Sequence, residues 1–449
     1  METISFYNDN AITVCSGAQF PAVWENVKRR IDSCKDSVHT LVREIINNVR
    51  LYGDKSVREY TIRFDHVQLQ TWCLGSDALE QAYAHVNKEN PALIAALEQA
   101  AGTIRRFAEV QYAQLEDVRL TVTPGVTVGQ RVIPVGRAGI YVPGGRYPLV
   151  STVLMGVIPA KVAGVRTVVL ATPPGFGCVP SEAILAAAKL AGVDAVYVMG
   201  GAQAIAALAY GTESVPRVDV IAGPGNSYVA EAKRQVFGDV GIDLIAGPTD
   251  VLIAADNEAL RGINSRLIAF DMLAQAEHDP LAAVRVLLPD METARAVCCE
   301  LGNACSTYQG NLDTALESLT RNGLMVLYES LEEAVHIANT IAPEHLELFG
   351  TKMEVQSSQF INYGSMFIGT HSGEVLGDYA AGVNHTLPTL GSARFSSGLS
   401  VHAFIKKVTT VQCKPGAGLN SLLETSMTIA EAEGLFWHKQ SAQARLGRN

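Results

Sequence analysis

The amino-acid sequence predicts an α/β protein with two doubly wound units and small helical pieces at its N- and C-terminal ends. One observation behind this is a set of unbroken apolar runs at 138–142, 167–171, 195–199 and 218–222, alternating with helical stretches near 150–164, 180–191, 202–210 and 227–236. A strand that is apolar at every position offers no face to water, so it belongs in a parallel sheet covered by helices on both sides. The alternation then starts again, with a run at 251–255, a helix near 267–277, and strand-like runs at 283–288, 324–328 and 366–369. Right-handed crossovers follow by default. No repeat of about 20 to 50 residues is present, which removes solenoids.

Taken in order, residues 1–35 read as an arm with one amphipathic helix near 22–31. From Val38, the positions Leu41, Val42, Ile45, Ile46 and Val49 recur at helical spacing and stop before Gly53, the pattern of a core-facing helix. A second long helix is expected over 91–115, with Leu93, Leu97, Ala100, Ile104 and Phe107 on one face. These early helices are expected to complete the later α/β unit. The expected organisation is therefore an arm at 1–35, a discontinuous unit of 36–138 with 250–399, a unit at 139–249, and a helical piece at 400–449 ending in the stretch 422–445.

The chain has 449 residues, about three average domains, so it can bury a large core and needs neither disulfides nor metal merely to fold. Lys plus Arg number 35 against 45 Asp plus Glu, a net charge of −10, which disfavours nucleic acid and anionic lipid as partners. The opening METISFYNDN has neither a basic nor an apolar leader region, so no secretory signal is expected. The apolar run 147–160 covers 14 residues, short of the roughly 20 that span a bilayer. Eight cysteines show no CxxC, and Cys298 and Cys299 are adjacent. Reduced thiols in a cytoplasm fit that pattern.

Open α/β sheets bind ligands beyond the carboxyl ends of their strands. There the sequence places Gly144-Gly145, Gly200-Gly201 and Gly223-Pro224-Gly225-Asn226, where backbone can approach a phosphate or ribose closely. GxGxxG is absent, so a dinucleotide would not be held by the usual fingerprint. Gln275 and His278 are three apart on a predicted helix, which puts an amide oxygen and an imidazole on one face. Ala342-Pro343-Glu344-His345 reads as a helix start. Capping would account for Glu344 there and leave His345 over, and an imidazole beside a carboxylate is an acid/base candidate. The Gly-bounded segment 377–385 carries Asp378, Asn384 and His385, while Glu431, Glu433 and His438 fall on a predicted terminal helix. Asp378, Gln275, His278 and His438 together would form a mixed oxygen and nitrogen set suited to Zn²⁺.

The strings GIYVPGGRYPLVSTVLM (139–155), GGAQAIAALAYGTESVPRVD (200–219), GPGNSYVAEAKRQV (223–236), AGPTDVLIAAD (246–256), QAEHDP (275–280), APEHLEL (342–348), GDYAAGVNHTLPT (377–389) and ARFSSGLSVHAFIKK (393–407) closely resemble the histidinol dehydrogenase family, in family order over nearly the whole chain. The resemblance implies incomplete Rossmann-like units and a zinc-dependent, NAD-linked four-electron oxidation. L-histidinol would pass through histidinaldehyde to L-histidine, the end of histidine biosynthesis. It implies one Zn²⁺ per subunit on Gln275, His278, Asp378 and His438, and an acid/base pair Glu344 and His345. Nicotinamide-cofactor contacts would be Tyr141, Gln203 and Asn226. Substrate contacts would be Thr249, Gln275, His278, His345, Asp378, His385, Glu433 and His438. It further implies an intertwined homodimer in which Glu433 and His438 serve the neighbouring subunit's site.

In chemical terms, His345 would take the hydroxyl proton as hydride leaves carbon, and Glu344 would activate the water that adds to the aldehyde. No cysteine falls in the matched catalytic motifs, so a thiohemiacetal route is not indicated. Two departures stand out. Thr249-Asp250 replaces the family's usual Ser-Glu, and bulky Phe436-Trp437 precedes His438. They motivate an alternative, a paralogous zinc and NAD alcohol dehydrogenase acting on another small polar alcohol such as sulfopropanediol. Retention of Glu433, a partner for an imidazole N–H, favours histidinol. A non-catalytic binding module would be expected to have lost some of these groups, and none is lost.

Overall fold

A computed structural model describes the chain except residues 33–35, 70, 145–146, 176–178, 261–262, 309 and 447–449. Two largely parallel sheets form its centre. One runs Gly241–Ile242, Val220–Ala222, Arg137–Tyr141, Thr167–Thr172, Ala195–Val198, Cys73–Leu74, and only the last strand is antiparallel to its neighbour. The other runs Glu2–Tyr7, Asn10–Ser16, Leu324–Leu327, Ala283–Leu288, Asp250–Ala255, His345–Phe349, Ser365–Ile368, and only the first strand is antiparallel. Both sheets are buried on both faces, as the unbroken apolar runs require. In Arg137–Tyr141, Ile140 joins one apolar cluster and Tyr141 the opposite one. In Asp250–Ala255, Val251 and Ile253 face one way and Leu252 and Ala254 the other.

The early helices do not complete the later unit. Asp36–Tyr52 packs Val42, Ile45, Ile46 and Val49 with Ile205 and Val229 of the six-stranded sheet's helices. Pro91–Ala113 packs Ile94, Leu97 and Ile104 with Val153 and Leu154 on that sheet's other face. An apolar stripe says that a helix face is buried, not against which sheet. The seven-stranded sheet is extended instead by the N-terminal residues, expected to form an arm with one helix. Glu2–Tyr7 and Asn10–Ser16 make an edge hairpin that buries Phe6, Ile12 and Val14, followed by helix Phe20–Asp32.

The segment after residue 400, expected to be helical, begins with a short 3-10 turn, Val401–Phe404, and then runs as strand Ile405–Cys413. It pairs over its nine residues with Val126–Pro134, which pairs in turn with Val118–Thr123. This ribbon carries no unbroken apolar run, and although Val118, Leu120 and Val122 alternate with polar residues, they and Val411 all face solvent. Helices Ala417–Ala432 and Phe436–Gln443 then end the chain. Among the described residues no helix is long and apolar enough to cross a membrane.

Ile140 has no solvent exposure at the centre of the six-stranded sheet. Ile140→Ala is expected to cost about 2–5 kcal/mol, read as a lower midpoint in urea unfolding with an unchanged slope.

Candidate active site

In the six-stranded sheet, strand order reverses beside Arg137–Tyr141, because the chain adds Thr167–Thr172 on one side and Val220–Ala222 on the other. Such a reversal opens a crevice at the carboxyl ends. Tyr141, Gln203 and Asn226 stand there, each at or just after the end of one of three strands. Gly201 N donates to the Tyr141 hydroxyl at 3.1 Å, and burial pushes that phenol up to about 12. Gln203 is buried with its side-chain oxygen unpaired. Asn226 caps helix Ser227–Val236, its oxygen accepting from Tyr228 N and Val229 N at 3.1 Å each, which leaves its amide N–H groups for a ligand. Gly145 lies outside the described residues.

Sequence reasoning passed over Lys233 and Asp243. Both are fully buried and paired; Lys233 Nζ donates to Gly223 O at 3.0 Å, and Asp243 Oδ2 accepts from Gly223 N at 2.7 Å. Gly223 has φ of 119°, and a Cβ there would strike the Tyr141 carbonyl.

Glu344 and His345, the expected acid/base residues, lie at the amino end of a strand in the other sheet. Ala342-Pro343-Glu344-His345 is therefore not a helix start. Helix Leu331–Ile341 ends on Ala342 in the left-handed region (φ 51°), Pro343 blocks its continuation, and His345 opens strand His345–Phe349. Alternation along that strand sends Leu346 and Leu348 into one core and leaves His345 and Glu347 on the opposite face. Glu344 caps nothing. Its Oε2 accepts from Thr249 Oγ1 at 2.5 Å and from Asp250 N at 3.0 Å.

His345 is 3 % exposed, and among the described residues neither ring nitrogen has a hydrogen-bond partner. Nδ1 lies 3.7 Å from Glu374 and 3.9 Å from Glu344, and Nε2 lies 3.8 Å from Asp378. Burial lowers this imidazole to about 4, so it is neutral at pH 7 and can accept a proton. Burial also raises Glu344, Glu374 and Glu347 well above the ordinary carboxylate range, and Asp271 to about 6.

Gln275, in the last turn of helix Asn264–Ala276, is fully buried against Thr249 and Glu374. Because the Thr249 hydroxyl donates to Glu344, Gln275 Nε2 donates to Thr249 Oγ1 at 2.8 Å and its amide oxygen faces Glu374. His278 follows the helix. Its Nδ1 lies 3.0 Å from Ala274 O and its Nε2 4.0 Å from Asp378 Oδ2. A proton on Nδ1 donating to that carbonyl leaves Nε2 as a free ligand atom. His385 is half-buried between the Asp378 carbonyl (3.1 Å from Nδ1) and Thr152 Oγ1 (3.2 Å from Nε2), and desolvation lowers its imidazole.

Glu374 was not found by sequence reasoning, although it stands four residues before Asp378 on helix Glu374–Tyr379 and so shares its face. His345, Glu374 and Asp378 bring potential ligand atoms within 4.8 Å of one another. Glu433 and His438 stand apart from this group. Both are exposed, beside Leu435, Phe436 and Trp437, which is 78 % exposed.

The profile of the histidinol dehydrogenase family matches residues 28–446. The chain belongs to that family. It is accordingly an oxidoreductase. Histidinol dehydrogenase of Thermosynechococcus vestitus is 44% identical over 408 residues, 90% of this chain and 92% of that protein. The enzyme of the same name from Chlorobium chlorochromatii is 43% identical over 425 residues, 95% and 96% of the two chains. The crystal structure of histidinol dehydrogenase from Elizabethkingia anophelis superposes with a TM-score of 0.88 at 34% identity, covering 98% of this chain and 99% of that one.

Gly223→Ala is expected to lower stability by about 1–3 kcal/mol, because it puts a Cβ at positive φ against a carbonyl. Chemical denaturation measures the loss.

Proposed function

We propose that this protein oxidises L-histidinol through histidinaldehyde to L-histidine, passing two hydrides in turn to NAD⁺. The observation that carries this reading is a neutral, buried His345 with both ring nitrogens unengaged, set between Glu344 and the group Gln275, His278 and Asp378. That group fits a zinc ion. It contains an amide, a carboxylate and an imidazole whose second nitrogen is already committed, and among the described residues the buried Glu344, Glu347 and Glu374 pair with no Lys or Arg.

Gln275, His278 and Asp378 would hold the metal, with His438 completing the set from a second copy of the chain. Bound zinc supplies a fixed anchor for the amino and imidazole nitrogens of the substrate. NAD⁺, against Tyr141, Gln203 and Asn226, supplies the hydride acceptor. His385, and Glu433 of the second copy, would complete the walls around the substrate.

In the first step His345 takes the proton of the substrate hydroxyl as hydride leaves the same carbon. Glu344 then takes a proton from the water that adds to the aldehyde, while the proton held by His345 passes to the aldehyde oxygen, so that a hydrate forms and His345 is neutral again. Glu344 Oε2 is held by Thr249 and Asp250, and Oε1 makes no hydrogen bond among the described residues. His345 accepts the hydroxyl proton of the resulting hydrate as the second hydride departs. Thr249 keeps the hydroxyl that a serine would offer, engaged with Glu344 and Gln275. Asp250 turns toward Arg285, which supports histidinol over another alcohol. The free Cys15, Cys73, Cys298, Cys299, Cys305 and Cys413 support a reducing, cytoplasmic setting.

Histidinol supplied with excess NAD⁺ and Zn²⁺ is expected to yield two NADH per molecule; one per molecule would end the four-electron reading. His345→Asn is expected to abolish both oxidations, and Glu344→Gln to slow mainly the aldehyde step; single-turnover kinetics on each substrate separates them. His438→Asn is expected to lower bound zinc by elemental analysis. Mixing it with His345→Asn should restore activity through hybrid dimers that hold one intact site.

A further inference from the structure

We propose that the buried Arg285–Asp250 pair is the positioning device that holds the Glu344 carboxylate for the aldehyde step. The inference rests on the reading of Glu344 as the base of that step. Asp250 opens the strand beside His345–Phe349, with Val251 opposite His345, so it stands next to Glu344. Asp250 Oδ1 accepts the Glu344 backbone N–H at 3.2 Å, and Oδ2 accepts Arg285 Nη1 at 2.5 Å. In return the Asp250 backbone N–H and the Thr249 hydroxyl donate to Glu344 Oε2. Glu344 is thus gripped at both ends by one neighbour: its main chain by the Asp250 carboxylate, its side chain by the Asp250 main chain.

That grip depends on Asp250 keeping its charge and orientation in a site where it is 6 % exposed. A buried carboxylate does so only beside a buried cation. Arg285, on the next strand, is 5 % exposed and lies 4.9 Å over the Trp24 ring of helix Phe20–Asp32. Trp24 fixes Arg285, Arg285 fixes Asp250, and Asp250 fixes Glu344. The same chain of contacts accounts for an aspartate following Thr249, since a carboxylate this short reaches both Arg285 and the Glu344 amide. Behind the pair lies a cavity of about 1250 Å³ lined by Asp250, Arg285, Trp24, Leu281, Arg321 and Arg394 among others. It provides room for a small cation to take the place of a truncated Arg285.

The test uses the full-length, zinc-loaded enzyme and measures histidinol and histidinaldehyde oxidation separately in Arg285→Met, Arg285→Ala, Glu344→Gln and the Arg285→Met/Glu344→Gln double variant. Arg285→Met is expected to lower kcat for the aldehyde about 10- to 100-fold, a size typical of groups that orient a functional residue. The histidinol step and both KM values should move by less than about threefold. NADH yield should fall from two toward one, with free aldehyde released. The double variant should be no slower on the aldehyde than Glu344→Gln alone, and millimolar guanidinium should restore Arg285→Ala.

Equal slowing of both steps, or full additivity in the double variant, would show the pair to be only structural and overturn the proposal. If Glu344→Gln leaves aldehyde oxidation intact, the reading of Glu344 fails first, whatever Arg285→Met does. If Arg285→Met does not fold, Arg285→Lys carries the same comparison, with a smaller aldehyde-specific loss expected and an even loss across both steps overturning it.

Discussion

Burying one imidazole among acids is the constraint around which this molecule is built. His345 is held out of water by the seven-stranded sheet, the Asp378-bearing segment and Phe367, and that exclusion keeps it uncharged. The same exclusion makes Glu344, Glu347 and Glu374 costly to ionise. Among the described residues the one guanidinium paired with this acid group is Arg285, and it serves Asp250. Such an arrangement is poorly balanced on electrostatic grounds alone, which is why a divalent cation suits it.

The two sheets divide the work by presenting opposite ends. The six-stranded sheet offers the carboxyl ends of its strands, where Tyr141, Gln203 and Asn226 stand and where the clamp of Lys233 and Asp243 shapes the Gly223 loop. The seven-stranded sheet offers amino ends, where Thr249, Glu344 and His345 stand. Between them the loop after Asp378 is pinned to the first unit. Asn384 Nδ2 donates to Met155 O at 2.7 Å, His385 meets Thr152, and Thr103 Oγ1 donates to Ala380 O at 2.8 Å. In the proposed function, strand ends of opposite polarity contribute to one site.

Both sheets were legible in the sequence because their strands are apolar on both faces, and a run such as Val251 to Ala255 reads the same way whatever surrounds it. What packs on them was not. The stripe of Val42, Ile45, Ile46 and Val49 announces burial without naming the partner. The edge hairpin is half exposed, and the ribbon around Ile405–Cys413 is mostly so. Asp378 lies beside His345, and His278, His385 and Gln275 meet Asp378 or Glu374 in turn. Glu344 was assigned to the wrong element because proline after a carboxyl cap and proline at a helix start look alike in one dimension. Arg285 carries no sequence signal, since an arginine inside an apolar strand shows its purpose only once Asp250 and Trp24 are beside it.

The placement of His345 at a strand's beginning leaves the far rim of that sheet without reacting groups. There Asp256 is buried, accepting from Glu258 N and Lys352 N at 2.8 Å each, and the Tyr328 hydroxyl donates to Ala255 O. Scaffolding of this kind separates upkeep from chemistry. Loops on that side are expected to lengthen, shorten or carry a fused module with less effect on turnover than loops beside His345.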